Sequence, residues 1–258
     1  MTHQFGSSDH ADSAGVPWEG RKIAPSSSAG DDGSAPPKLL EALRRFRAGD
    51  LGEAEVVDAV RESRLLIPLL AEAGELGETA DGRIVDKTQE LSIVTVAAPD
   101  GRAILPAFTS VAAMIAWNPL ARPVPTAGPR VALAAVSDGT DLVIIDPTTA
   151  TEFAIRRPAL WSMAQAEPWV PCYLDEVVLR AFMAGAAPED AVTAVELLPG
   201  DPDARLAGPE LIVRLRVEDG LDRAALSALL VRLQQRWASD ETIANRVESL
   251  AVRVVSSV

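Results

Sequence analysis

The chain has 258 residues, 48% of them hydrophobic, and carries 37 acidic against 24 basic side chains for a formal net charge of -13. With no clustered basic block to offset that charge, nucleic acid and anionic membrane surfaces are excluded as expected partners, because both need grouped Lys and Arg. The length suffices for one large or two small cores, the single cysteine (Cys172) rules out an internal disulfide and fits a reducing cytoplasm, and no apolar run approaches a membrane span.

Residues 1–37 are rich in Ser, Gly, Asp and Pro and have no apolar period, which predicts a disordered leader without the basic and apolar regions of a secretory signal. Both histidines, His3 and His10, lie in it, so the rest of the chain has none. Pro36-Pro37 open a helix with Leu39, Leu40, Leu43 and Phe46 on one face, and Gly49-Asp50 close it. A second helix from Leu51 to Glu62 turns Val56, Val57 and Val60 inward, while Arg44, Arg45 and Arg47 read as a solvated face of the first. Arg64 to Leu70 is a short buried strand in which Pro68 marks an edge or a bulge. The polar segment Ala71 to Thr88 holds neither a Walker spacing nor GxGxxG and reads as a loop, not a phosphate cradle.

Asp100-Gly101 is a hairpin signal between the apolar runs Leu91 to Ala98 and Ala103 to Phe108. After Phe108 the period becomes helical, with Val111, Met114 and Ile115 on one face and Thr109 or Ser110 placed as cap. Asn118-Pro119 end that helix, and prolines 119, 123 and 125 hold an extended exit that frames Arg122. Pro129 to Asp138 fits a short helix, although its unbroken run Val131 to Val136 also fits a buried strand. Asp141 to Asp146 is a strand stopped by Pro147, Glu152 to Arg156 is another, and Pro158 to Gln165 is a helix carrying Trp161.

Pro168-Trp169-Val170-Pro171 is a rigid connector that reads as a domain boundary. Beyond it come a helix from Asp175 to Ala184, strands Ala191 to Leu198 and Glu210 to Val217, and an Asp222-capped helix with Leu226, Leu229, Leu230, Leu233 and Trp237 at helical spacing. Ser239 is placed to cap a further turn, and Val247 to Val255 returns as a strand. The whole is α+β: a leader (1–37) and two small mixed sheet-and-helix domains, 38–171 and 172–258.

The densest run of specific residues is 99–125. Thr109 and Ser110 at a helix start, with Arg102, Arg122 or Arg130 nearby in sequence, would make an anion or carboxylate pocket, yet ordinary capping needs the same residue types. Trp117, Trp161 and Trp169 would floor a groove with Arg122 stacked on one of them, or else anchor the core, Trp169 in its connector being the one placed for exposure. Cys172 has no histidine to activate it. Asp138, Asp141 and Asp146 fit turns and caps, and Arg156-Arg157 are too few for a basic patch. No catalytic constellation, metal site or cofactor loop is legible.

At Asp100-Gly-Arg102, Phe108-Thr-Ser110, Trp117-Asn-Pro119 and Ala121-Arg-Pro-Val-Pro125, continuing through Asp146-Pro147 and Trp169-Val-Pro171, the sequence resembles an SseB family protein of the actinobacterial kind. Residues of about 60 to 171 resemble the SseB N-terminal domain, and the remainder is similar in layout to its C-terminal partner domain; Cys172 departs from the pattern where a second proline is expected. Sparse lysine, at 22, 38 and 87 only, fits a bacterial source. The resemblance implies an α+β cytoplasmic protein without catalytic residues to carry over. The expectation is a non-enzymatic interaction or regulatory module with a binding surface at Arg102, Phe108, Thr109, Ser110, Trp117, Arg122 and Trp169. Its partner would be an unidentified protein or, alternatively, a small carboxylate or amino acid, and no cofactor is expected.

Overall fold

In the computed structural model, residues 31–71, 76–78, 84–86, 91–93, 95–97 and 101–256 are described, so most of the expected leader and parts of the 71–100 segment, Asp100 included, lie outside the described residues. The architecture below is that of the unit Gly33–Val258. It is α+β.

Helix α1 (Pro37–Arg47) starts with its proline where no amide is needed and buries Leu39, Ala42 and Leu43. Helix α2 (Glu53–Arg61) buries Val56, Val57 and Val60 against the same core. Arg47 is not a solvated-face residue: its guanidinium donates to the carbonyls of Asp203 and Glu152 and so ties α1 to two distant loops.

Strand β1 (Arg64–Ala71) corrects the expectation set by Pro68. It is the centre of a three-stranded sheet, not an edge, and runs unbroken through the proline. After it come β2 (Leu76–Glu78) and β3 (Ile84–Asp86), paired antiparallel, then β4 (Leu91–Ile93), β5 (Val96–Ala97) and β6 (Ala103–Ala107). The hairpin across Gly101 is formed by β5 and β6, whereas β4 pairs with β1.

Helix α3 (Val111–Trp117) leads into β7 (Arg122–Ala127), which flanks β1 on the side opposite β4. Leu66 exchanges both backbone hydrogen bonds with Phe108, at 2.8 and 2.9 Å. By strand alternation, Leu66 and Pro68 therefore turn their backbone polar groups away from β7, and their partners Pro125 and Pro123 sit in non-hydrogen-bonded pairs. The prolines of β7 thus direct their missing amides to the outer rim of the sheet, which leaves the ladder intact and blocks a further strand from adding there.

Helix α4 (Gly128–Ser137) settles the ambiguous apolar run as helix, with Val131, Ala132 and Ala135 buried. Its first residue must be glycine, since a Cβ there would lie 2.3 Å from the Val60 carbonyl oxygen. Strands β8 (Leu142–Ile145) and β9 (Phe153–Arg156) complete a sheet of order β5-β6-β8-β9, in which β6 and β8 are parallel. Helix α5 (Arg157–Ala164) follows and packs against α4. Helices α1, α2, α4 and α5 enclose one core with Leu65, Leu105, Val143, Ile145, Phe153 and Ile155 of the strands.

The chain then forms α6 (Glu176–Ala186), β10 (Val192–Pro199), β11 (Leu211–Val217), α7 (Arg223–Ala238), α8 (Glu241–Arg246) and β12 (Leu250–Ser256). Order β10-β11-β12 places β11 in the centre, antiparallel to β10 and parallel to β12. Leu211, Val213, Leu215 and Val217 face a second core with Val178, Phe182, Leu229, Leu233 and Trp237 from the helices. The cap of α8 is Asp240, whose carboxylate accepts the Ile243 amide at 3.1 Å, and not Ser239; Val247 belongs to the end of that helix, so β12 begins only at Leu250.

Candidate functional site

Phe108, Thr109 and Ser110 follow directly on β6, and Asp146 follows directly on β8, whose ends are in register as Ala107 and Ile145. The parallel pairing therefore brings two sequence-distant motifs together. Asp146 takes a left-handed backbone (φ 45°), and its carboxylate accepts the Thr109 amide at 2.8 Å, the Thr109 hydroxyl at 2.7 Å and the Thr151 hydroxyl at 3.0 Å. Burial pushes this carboxyl up, against the pull of the three donors. Thr109 thus spends its amide and its hydroxyl on a carboxylate of the chain itself, and Ser110 caps α3 by accepting the Ala113 amide at 3.1 Å. The role assigned to Asp146 from sequence, a turn or cap, understates it: it locks the end of β8 to the start of α3.

Phe108 is fully buried, with its ring 5.3 Å from that of Trp117, and both belong to a small core with Leu66, Met114 and Ala121. Arg122 is the exposed first residue of β7. The same short stretch leaves Leu120 80% exposed, with Ile115 and Val124 also on the surface. Arg102 lies elsewhere, in an ion pair with Glu248.

The three tryptophans do not meet. Trp161 and Trp169 line one groove of about 330 Å³ together with Gln165, Asp175, Asn245 and Arg246, whereas Trp117 stays with Phe108. The expected exposure is also reversed: Trp161 is 40% exposed, and Trp169 is half-buried against the first core. The reason is local. Trp161 falls on the outer face of α5, while the proline-framed connector folds Trp169 back onto the helices. The stacking arginine is Arg157, with its guanidinium carbon 5.6 Å from the Trp161 centroid and a hydrogen bond to the Ala244 carbonyl at 3.1 Å. Across the groove Arg246 pairs with Asp175 at 2.5 Å. Residues on α5, the connector and α8 therefore build this concavity from widely separated parts of the sequence.

Sequence reasoning missed a buried charge cluster. Arg156, at the end of β9 and 6% exposed, binds Asp201 at 2.7 Å, Glu248 at 2.6 Å and the Gly208 carbonyl at 3.0 Å. Asp201 also accepts the amides of Arg205, Leu206 and Ala207, which folds the loop between β10 and β11 around it. Next to this, Glu210 accepts the Glu248 amide at 2.6 Å, and Glu53 accepts the Tyr173 hydroxyl at 3.2 Å. Burial pushes both Glu53 and Glu210 up to about 7, and also raises the Cys172 thiol and the Tyr173 phenol. A pair such as Arg156-Arg157 looks uniform in sequence, yet alternation at the end of β9 sends one inward to carboxylates and the other outward to Trp161. The cluster ties β9, α2 and the segments around 172, 201, 210 and 248 together, and its groups are consumed by one another.

Among the described residues, no group of three or more His, Cys, Asp or Glu is disposed to hold a metal ion, and no helix is long and apolar enough to cross a membrane. Neither the curated proteins nor the solved structures contain a match to this chain. Residues 39–162, which span α1 to α5 and include the Thr109–Asp146 lock and Trp161, match the family described as SseB protein N-terminal domain.

Proposed function

We propose that this chain is a non-enzymatic interaction module of the cytoplasm whose recognition site is the groove between α5, the Pro168–Pro171 connector and α8. The observation that carries the reading is Trp161, a large aromatic left 40% exposed at the mouth of a concavity of about 330 Å³, with Trp169 beside it and Arg157 stacked on it. Tryptophan supplies rigid contact area and arginine supplies directional hydrogen bonds, and both are enriched among the residues that dominate the energetics of binding surfaces. The deeply buried, unactivated Cys172 thiol and the mutual saturation of the Arg156 cluster support a role without chemistry on a substrate.

A second reading places the contact at the Ile115–Val124 shoulder, and it is favoured by the 80% exposure of Leu120 next to exposed Arg122 and Val124. Capture from lysate by the wild-type chain, by Trp161→Ala and by Leu120→Ser separates the two. A partner lost only with Trp161→Ala supports the groove, and one lost only with Leu120→Ser moves the site to the shoulder. Capture of nothing, together with a rise of several degrees in melting temperature on adding amino acids or small organic acids, overturns the module in favour of a small-molecule sensor.

A further inference from the structure

The helices α6 and α7 pack with Leu211, Val213, Leu215 and Val217 on one face of the C-terminal sheet, and the register of its strands fixes what the other face displays, where Ile212 is buried and the residues beyond it reach the surface. Pairing sets Glu196 beside Arg214 and Ala194 beside Arg216 across β10 and β11, then Arg214 beside Arg253 and Arg216 beside Val255 across β11 and β12. Since Val213, Leu215 and Val217 point to the helices, Arg214, Arg216 and Arg253 all stand on the opposite side. Arg214 and Arg216 are 36% and 44% exposed, and Arg253 is exposed as well.

The charges on this face do not balance. Glu196 alone serves two of the three guanidinium groups, accepting from Arg214 at 2.8 Å and from Arg216 at 3.3 Å. Arg253 has no hydrogen-bond or ion-pair partner among the described residues, although it sits directly across from another arginine. Like charges opposed on neighbouring strands destabilise a sheet. The fold therefore groups three arginines on a face edged by Ala194, Ala251 and Val255, with Glu196 among them and the exposed Glu218 next on that side just past β11, so positive charge is in excess there in a chain whose net charge is -13. At physiological salt the Debye length is about 8 Å, so an anion approaching within that range feels these guanidinium groups more than charges farther off.

We propose that this arginine face is a docking surface for an acidic polypeptide segment, whose carboxylates pair with Arg253 and Arg216 and whose aliphatic parts rest on Ala194, Ala251 and Val255. Three forked guanidinium groups on neighbouring strands suit bidentate pairing with carboxylates spaced along an extended chain. Docking here is independent of the Trp161 groove, which lies on other elements.

The test is fluorescence anisotropy of a labelled decaglutamate peptide against the full chain at several salt concentrations. Binding that weakens as salt rises, falls at least about fivefold in Arg253→Gln, is unchanged in the control Arg130→Gln on α4 and strengthens in Glu196→Gln supports the proposal. Arg253 has no hydrogen-bond or ion-pair partner among the described residues, so its substitution spares the fold, and Glu196→Gln removes a competing carboxylate, so the two variants must act in opposite directions. Absence of binding, binding indifferent to Arg253→Gln, or capture of phosphatidylserine vesicles or oligoribouridylate in place of the peptide would overturn it.

Discussion

Arg156 and Arg253 both lie in strands, and they meet opposite surroundings. Arg156 ends β9 beneath the surface with two carboxylates and a carbonyl around it, whereas Arg253 stands in the open on β12 across from a second arginine. A buried charge is tolerated only when fully paired, because desolvation costs more than an imperfect pairing returns. An exposed charge is under no such demand, since water does the pairing. The first region is accordingly a fixed junction that holds distant segments together, and the second is a surface whose positive charge remains available.

The strongest way to break this comparison is Arg156→Ala, which among the described residues would leave buried Asp201 with backbone amides alone and the buried Glu248 side chain with Arg102 as its one remaining cation. Urea denaturation should show a loss of about 3–5 kcal/mol, the usual cost of removing one partner from a buried ion pair; a loss below about 1 kcal/mol would mean that water reaches the cluster. The pH dependence of the same junction gives the next effect. Glu210 has a folded value of about 7 against an ordinary 4.5, so the folded state holds its proton more tightly than the unfolded chain does. Its contribution to stability is fully present below about pH 4.5 and is lost as pH rises through 7. Glu210→Gln should remove that slope and leave the variant more stable than the wild type at pH 8, by on the order of 3 kcal/mol, while still accepting the Glu248 amide. Denaturation midpoints from pH 5 to 8 would show it, and parallel wild-type and variant curves would contradict it. The smallest effect sharpens the other side: Arg253→Gln should change stability by no more than about 0.5 kcal/mol, as measured in the same assay, because among the described residues it holds no hydrogen-bond or ion-pair partner.

Most of the secondary structure was legible because it is written locally. Prolines at helix starts, Asp222 as a cap and the spacing of Leu229, Leu233 and Trp237 each act within a few residues, and the helices formed where they point. Pro68 misled because a proline reports only its missing amide, and whether that matters depends on which neighbour the amide would have faced. The Val131 to Val136 run stayed ambiguous for a similar reason: a short apolar stretch says that it is buried, not against what. Thr109 and Ser110 were placed from sequence at a helix start, where Ser110 caps α3, but the partner of Thr109, Asp146, is 37 residues away and was invisible without the parallel pairing of β6 and β8.

By itself the sequence determined the α+β composition of the described fold, the positions of its helices and most strands, and the acidic surface charge, all of which follow from local periodicity and residue counts. Tertiary structure alone decided which arginines are buried, which tryptophans share a groove and which face of the last sheet is positive. Those properties depend on register and on the contact of segments more than a hundred residues apart, such as Arg102 with Glu248, and no local pattern encodes the neighbour that neutralises a charge.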